Sequence, residues 1–162
     1  MLTMRKSARF FAAVTALAGC YMSTFIGSAR SAVTPQAFFQ EPPQQQIKDF
    51  SGYDFEDQYA LYVYGNQQIE PPSFYLRRPF ARDGAKIVKP LMAKLSQTSN
   101  EVTIRDIVLV FGAMQDLNTY DVSRNKLLME TLRQRVNGMK GIWKNMCTKT
   151  LREIESAGQR KH

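Results

Sequence analysis

Histidine is almost missing from this 162-residue chain, and its one copy is the final residue, His162. Chain ends are the least tethered part of most domains, so neither a Ser-His-Asp nor a Cys-His arrangement has a base held in place. Zinc and haem sites lose their commonest ligand with it. Cysteine is nearly as scarce, with Cys20 and Cys147 alone, which excludes a thiolate cluster. The segment Gly138-Met139-Lys140-Gly141 lacks the spacing of a nucleotide-binding glycine loop. No basic run interleaved with stacking aromatics occurs and no repeat at a solenoid period is visible, so nucleic acid is not an expected partner. These absences favour a noncatalytic protein that needs no cofactor and no metal.

A further absence leads to what is present: no acidic residue precedes Glu41. Instead Arg5, Lys6 and Arg9 come before the apolar run Phe10 to Leu17 and the tetrapeptide Leu17-Ala18-Gly19-Cys20. Cations, a short apolar block and small residues are the parts of an export signal, assigned here to residues 1–32. The uncharged stretch from Phe10 to Ile26 contains Thr15, Gly19, Ser23 and Thr24 and sits near the lower limit of roughly 20 apolar residues for a spanning helix. Cleavage is therefore expected in place of permanent anchoring. Leu17-Ala18-Gly19-Cys20 resembles the bacterial lipobox, in which the cysteine receives lipid, making Cys20 the candidate lipidation site and membrane anchor. Gly27 and Ala29 offer a second, ordinary cut ahead of Arg30. Organellar import is the rival address, because the segment is rich in Ser, Thr, Ala and Arg, but its cations cluster before the apolar block.

Charge is divided unevenly beyond the leader. From Ala32 to Leu76 one cation, Lys48, faces six acids, whereas the chain from Arg77 onward is strongly basic. The two parts can pack against each other, or the basic one can meet an anionic partner in the envelope. About 130 residues remain after the leader, enough for one core and one domain. Pro35, Pro42, Pro43 and Gln44-Gln45-Gln46 make residues 33–52 read as an extended tether. Residues 53–162 are then a single all-α domain, a small helical bundle or helical hairpin.

Within it, Asp54 to Tyr64 reads as a helix, with Asp54 and Asp57 placed to cap it and strand composition in Tyr59-Ala60-Leu61-Tyr62-Val63-Tyr64 as the competing signal. Pro90 allows two short helices or one kinked helix over 83–97, with Leu91, Met92 and Leu95 inward. Thr103 and Asp106 are placed as N-cap and N3 of a helix ending near Asn118. A last helical region begins around Val122 or Ser123, where Leu128, Leu132, Val136, Met139, Trp143, Cys147, Thr150 and Ile154 trace an apolar stripe. Gly138 and Gly141 each weaken a helix by roughly 1 kcal/mol, so one long helix and two joined ones are both open.

Two surfaces qualify as binding sites. Lys126, Arg133, Lys140 and Lys144 recur opposite the stripe as a basic ridge, either a solvated face or a docking site for an acidic surface. Tyr59, Tyr62, Tyr64, Phe74 and Tyr75 form an aromatic group, either core or a sticky surface. Glu56 and Asp57 are the acids that a glycan-cleaving enzyme would use, and they serve equally well at a helix start. The expected function is that of an exported, envelope-associated helical protein that binds another exported protein as an adaptor, assembly factor or immunity-type inhibitor. A carboxylate enzyme or enzyme accessory acting on the cell wall is the alternative.

Overall fold

The computed structural model describes residues 34–160, and the predicted export signal with Cys20 lies outside them. Among the described residues the chain forms eight α-helices and two short 3-10 turns, with no strand. They are α1 (Pro35–Phe38), α2 (Pro43–Phe50), α3 (Phe55–Gln67), the turn Phe74–Leu76, α4 (Arg77–Ala81), α5 (Ala85–Gln97), α6 (Glu101–Leu117), the turn Val122–Arg124, α7 (Lys126–Asn137) and α8 (Lys144–Gln159). The fold is all-α, as its periodicity predicts.

The unbroken apolar run of α6 places this helix at the centre. Residues 103–111 are all buried, together with Ala113, Met114 and Gln115, and a helix buried on every side is an interior one. It packs most extensively against α8 and α4, and also against α3, α5 and α7. Its N-cap is Asn100, whose side chain accepts from Val102 N at 2.8 Å and Thr103 N at 3.4 Å. The cap therefore stands three residues before the expected Thr103, whose hydroxyl accepts from Gln67 Nε2. At the other end Asn118 turns left-handed with φ 54° and closes the helix as the sequence predicts.

An extended segment over 33–52 is corrected by α1 and α2. Pro35 and Pro43 occupy the first helical turn, where a missing N–H leaves nothing unbonded, so these prolines start helices. Phe38 and Phe50 then enter the core, and Gln46 is buried with its Nε2 donating to Glu41 O at 2.6 Å. Full burial of one such phenylalanine is worth roughly 1.5–3 kcal/mol, which holds an eight-residue helix too short to persist alone. The packed unit begins well before residue 53.

The helical reading of 54–64 holds: Asp54 accepts from Asp57 N at 3.0 Å, and α3 buries Leu61, Tyr62 and Gly65 on one side. Pro90 lies inside a single helix, α5, whose Leu91 and Leu95 are fully buried while Met92 is half-buried. Gly84 joins α4 to α5 at φ 53°, and a Cβ there would meet the Thr119 carbonyl oxygen at 2.5 Å, so only glycine fits this corner. Asn125, not Val122 or Ser123, caps α7 by accepting from Leu128 N.

The last helical region divides at residues 138–143, where the two glycines weaken it. Glu101 fastens this corner, because its two carboxylate oxygens accept from Lys140 N at 2.6 Å and Gly141 N at 2.7 Å. The apolar stripe survives the break, with Leu128, Leu132, Val136, Met139, Cys147, Thr150 and Ile154 all buried. Gly112 of α6 lets α8 approach, since a Cβ there would stand 2.6 Å from Thr150 Cγ2.

Candidate functional site

One helix of the bundle is apolar on both sides. The inward face of α3 buries Leu61 and Tyr62, while half-buried Tyr59, Val63 and Tyr64 and exposed Ala60 line an open groove of about 390 Å3. Glu56 and Lys94 close one side as an ion pair of 2.7 Å, with the ammonium 5.0 Å from the centre of the Tyr59 ring. Tyr64 stacks on Phe39 of the chain just after α1. Burial, followed by the charges of Asp106 and Glu56, raises the Tyr59 hydroxyl above its ordinary pKa, so it is a hydrogen-bonding phenol at neutral pH.

The groove continues inward through a polar side chain. Gln67 lines it, and the Nε2 of the same residue donates to Thr103 Oγ1 at 3.1 Å and to Asp106 Oδ2 at 3.3 Å. Asp106 is completely buried and accepts from Arg105 Nε at 3.0 Å and Nη2 at 2.7 Å through one oxygen. The guanidinium of Arg105 lies between two rings, with Phe74 at 4.9 Å and Trp143 at 4.2 Å. Tyr62 donates to the backbone oxygen of Asp106 at 3.3 Å. Burial raises the Asp106 carboxyl above the usual range, outweighing the opposing pull of Arg105, and burial likewise raises Tyr62. Residues far apart in sequence thus share one buried polar network.

No protein-family model matches the chain, and no curated protein or solved structure matches it either. The chemistry of these residues therefore rests on their own geometry.

The aromatic group predicted from sequence separates into two sets. Tyr59 and Tyr64 lie on the groove and Tyr75 is 37 % exposed, where its hydroxyl meets the Gln46 carbonyl oxygen. Tyr62 is not a surface residue: its position on the inner side of α3 leaves it 1 % exposed. Phe74 is half-buried against Arg105.

The four cations of the predicted basic ridge are spread over two helices and the corner between them. Lys126 and Arg133 belong to α7, Lys140 to the corner and Lys144 to the first position of α8. Arg133 Nη2 pairs with Glu155 at 2.8 Å, and Lys144 Nζ donates to Asn137 O at 3.0 Å. The most exposed large apolar residue near these cations is Ile142, at 83 %, a corner residue that periodicity had no means of singling out.

Cys147 is buried on the stripe, and burial pushes its thiol up to about 11, which makes it a small hydrophobe and a poor nucleophile. Glu56 and Asp57 fall in the first turn of α3, the structural role considered for them from sequence. Among the described residues no group of three or more His, Cys, Asp or Glu could hold a metal, and no helix is long and apolar enough to cross a membrane.

Proposed function

We propose that this chain is an exported, envelope-associated helical protein that binds another exported protein without catalysing a reaction. The observation that carries this reading is the groove along α3, where half-buried Tyr59, Val63 and Tyr64 and exposed Ala60 leave apolar surface open at its centre. Glu56, Tyr59, Ala60, Val63, Tyr64 and Gln67 recur at helical spacing over about three turns, the surface that the apolar face of a partner helix packs into. The charged edge is already neutralised between Glu56 and Lys94, so the expected contact is apolar at its centre. The leader supplies the address, and a lipid on Cys20 would hold the domain at a membrane surface.

Full-length chain expressed with its leader, immobilised and exposed to envelope extract, tests this. One stoichiometric partner should be retained by the native chain, lost with Ala60→Glu/Val63→Glu and kept with Arg133→Glu/Lys144→Glu. Retention by both variants refutes the α3 surface. Turnover of peptidoglycan abolished by Glu56→Gln/Asp57→Asn would replace this reading with the cell-wall enzyme.

A further inference from the structure

One stretch of the chain carries cations and no acid. From Thr131 to Arg152 it holds Arg133, Arg135, Lys140, Lys144, Lys149 and Arg152 without a single Asp or Glu. These residues make up the second half of α7, the α7–α8 corner and the first half of α8. Three acids reach them from elsewhere: Glu155 pairs with Arg133, Glu153 stands 3.8 Å from Lys149, and Glu101 gives its two oxygens to the Lys140 and Gly141 N–H groups. The cations outnumber them by two to one.

In the middle of this basic stretch two apolar side chains face solvent. Ile142 is 83 % exposed and Met146 is 38 % exposed. The corner winds directly into α8, with Lys144 N donating to Gly141 O at 3.2 Å and Cys147 N to Trp143 O at 3.1 Å, so residues four apart stand one turn apart on one side. Exposed Lys149 follows on that side, and Cys147, Thr150 and Ile154 are buried on the other. Glu101 fastens the corner, and the Trp143 ring turns in against Arg105 at 4.2 Å, which directs its neighbour Ile142 outward. The exposed pair is therefore held in place by the fold.

A lone exposed apolar residue is ordinary, but an exposed pair among lysines has a specific match. Protein interfaces are depleted in lysine, and single-stranded nucleic acid needs exposed rings, whereas Trp143 is turned inward. An anionic bilayer offers phosphates for the ammonium groups and, just beneath them, acyl chains for the apolar pair. We infer that the α7–α8 corner docks on an anionic phospholipid surface, with Ile142 and Met146 entering the interface and Lys140, Lys144 and Lys149 on the headgroup phosphates. None of these residues lines the α3 groove, so a protein bound there and a membrane bound here are compatible.

Trp143, the sole tryptophan, adjoins Ile142 and serves as the probe. The full-length chain is mixed with vesicles of phosphatidylglycerol and phosphatidylcholine brominated on their acyl chains, and with brominated phosphatidylcholine alone. Bromine should quench Trp143 on the anionic vesicles and not on the neutral ones, with the effect fading as salt rises. Attachment through residues 1–33 alone leaves the indole outside the acyl chains, so quenching reads the corner. I142E should lower the ratio of docked to undocked corner about tenfold, and K140E/K149E about as much, with both folds checked by circular dichroism. No quenching on anionic vesicles, equal quenching on neutral ones, or undiminished quenching in either folded variant would overturn the inference. Capture of the native chain by polyglutamate, lost in K140E/K149E and unaccompanied by quenching on vesicles, would overturn it too and assign the surface to an acidic polypeptide.

Discussion

Arg105 and Arg135 lie in two regions of one bundle and are treated in opposite ways. The interior around Arg105 supplies a carboxylate and two aromatic faces, whereas the surroundings of Arg135 supply no acceptor to its Nε and Nη2. The contrast teaches that burying an arginine stabilises nothing by itself: its donors must meet acceptors, and those of Arg105 do while Nε and Nη2 of Arg135 do not.

The contrast breaks most severely at Arg105. Arg105→Ala should lower the unfolding free energy by about 3–5 kcal/mol in denaturant titration, because Asp106 is left without its partner in an apolar interior. The double variant Arg105→Met/Asp106→Leu should recover most of that loss, and failure to recover would mean the network stabilises by more than mutual compensation. Trp143→Ala removes one ring of the sandwich and half-buried packing, with an expected loss of about 2–3 kcal/mol.

Acid separates two carboxylates on α6. Glu101 has a lowered pKa, so the stability it gives is complete above the ordinary carboxylate range and disappears as pH falls through that lowered value. Asp106 has a raised pKa, so its ionised form opposes folding as pH rises through the raised value. Stability measured against pH should accordingly lose part of its acid-side slope in Glu101→Gln. An unchanged curve would show that the corner is held without this charge.

At Arg135 the expected effect on stability is small. Arg135→Met should stay within about 0.5 kcal/mol of the native chain or exceed it, since no bond of Nε or Nη2 is lost. Smallest of all is the Arg133–Glu155 pair, whose side chains are 52 % and 38 % exposed; a double-mutant cycle should return at most about 0.5 kcal/mol.

Helix class and the apolar stripe were legible in the sequence because period and burial agree there, from Leu128 through Ile154. The break at Gly138 to Trp143 was legible as one of two outcomes, and the Glu101 carboxylate that fixes it is distant in sequence. Prolines misled at 33–52, since Pro35 and Pro43 are compatible with either an extended chain or a helix start, and only the burial of Phe38 and Phe50 decides. The groove residues Tyr59 and Tyr64 stood out by composition, but which tyrosines face outward depended on the phase of α3. Arg105 and Gln67 gave no local signal and Asp106 read as a helix-start acceptor, because their relation exists only once α3, α6 and the α7–α8 corner have come together.

That relation also gives the protein a built-in optical gauge. Gln67 borders the α3 groove, bonds Asp106, which bonds Arg105, whose guanidinium lies on the indole of Trp143, the sole tryptophan of the chain. Anything that settles in the groove and draws the Gln67 amide toward itself changes the field on that indole. The fluorescence of the unlabelled protein should then report occupancy of a surface on which the tryptophan itself does not lie.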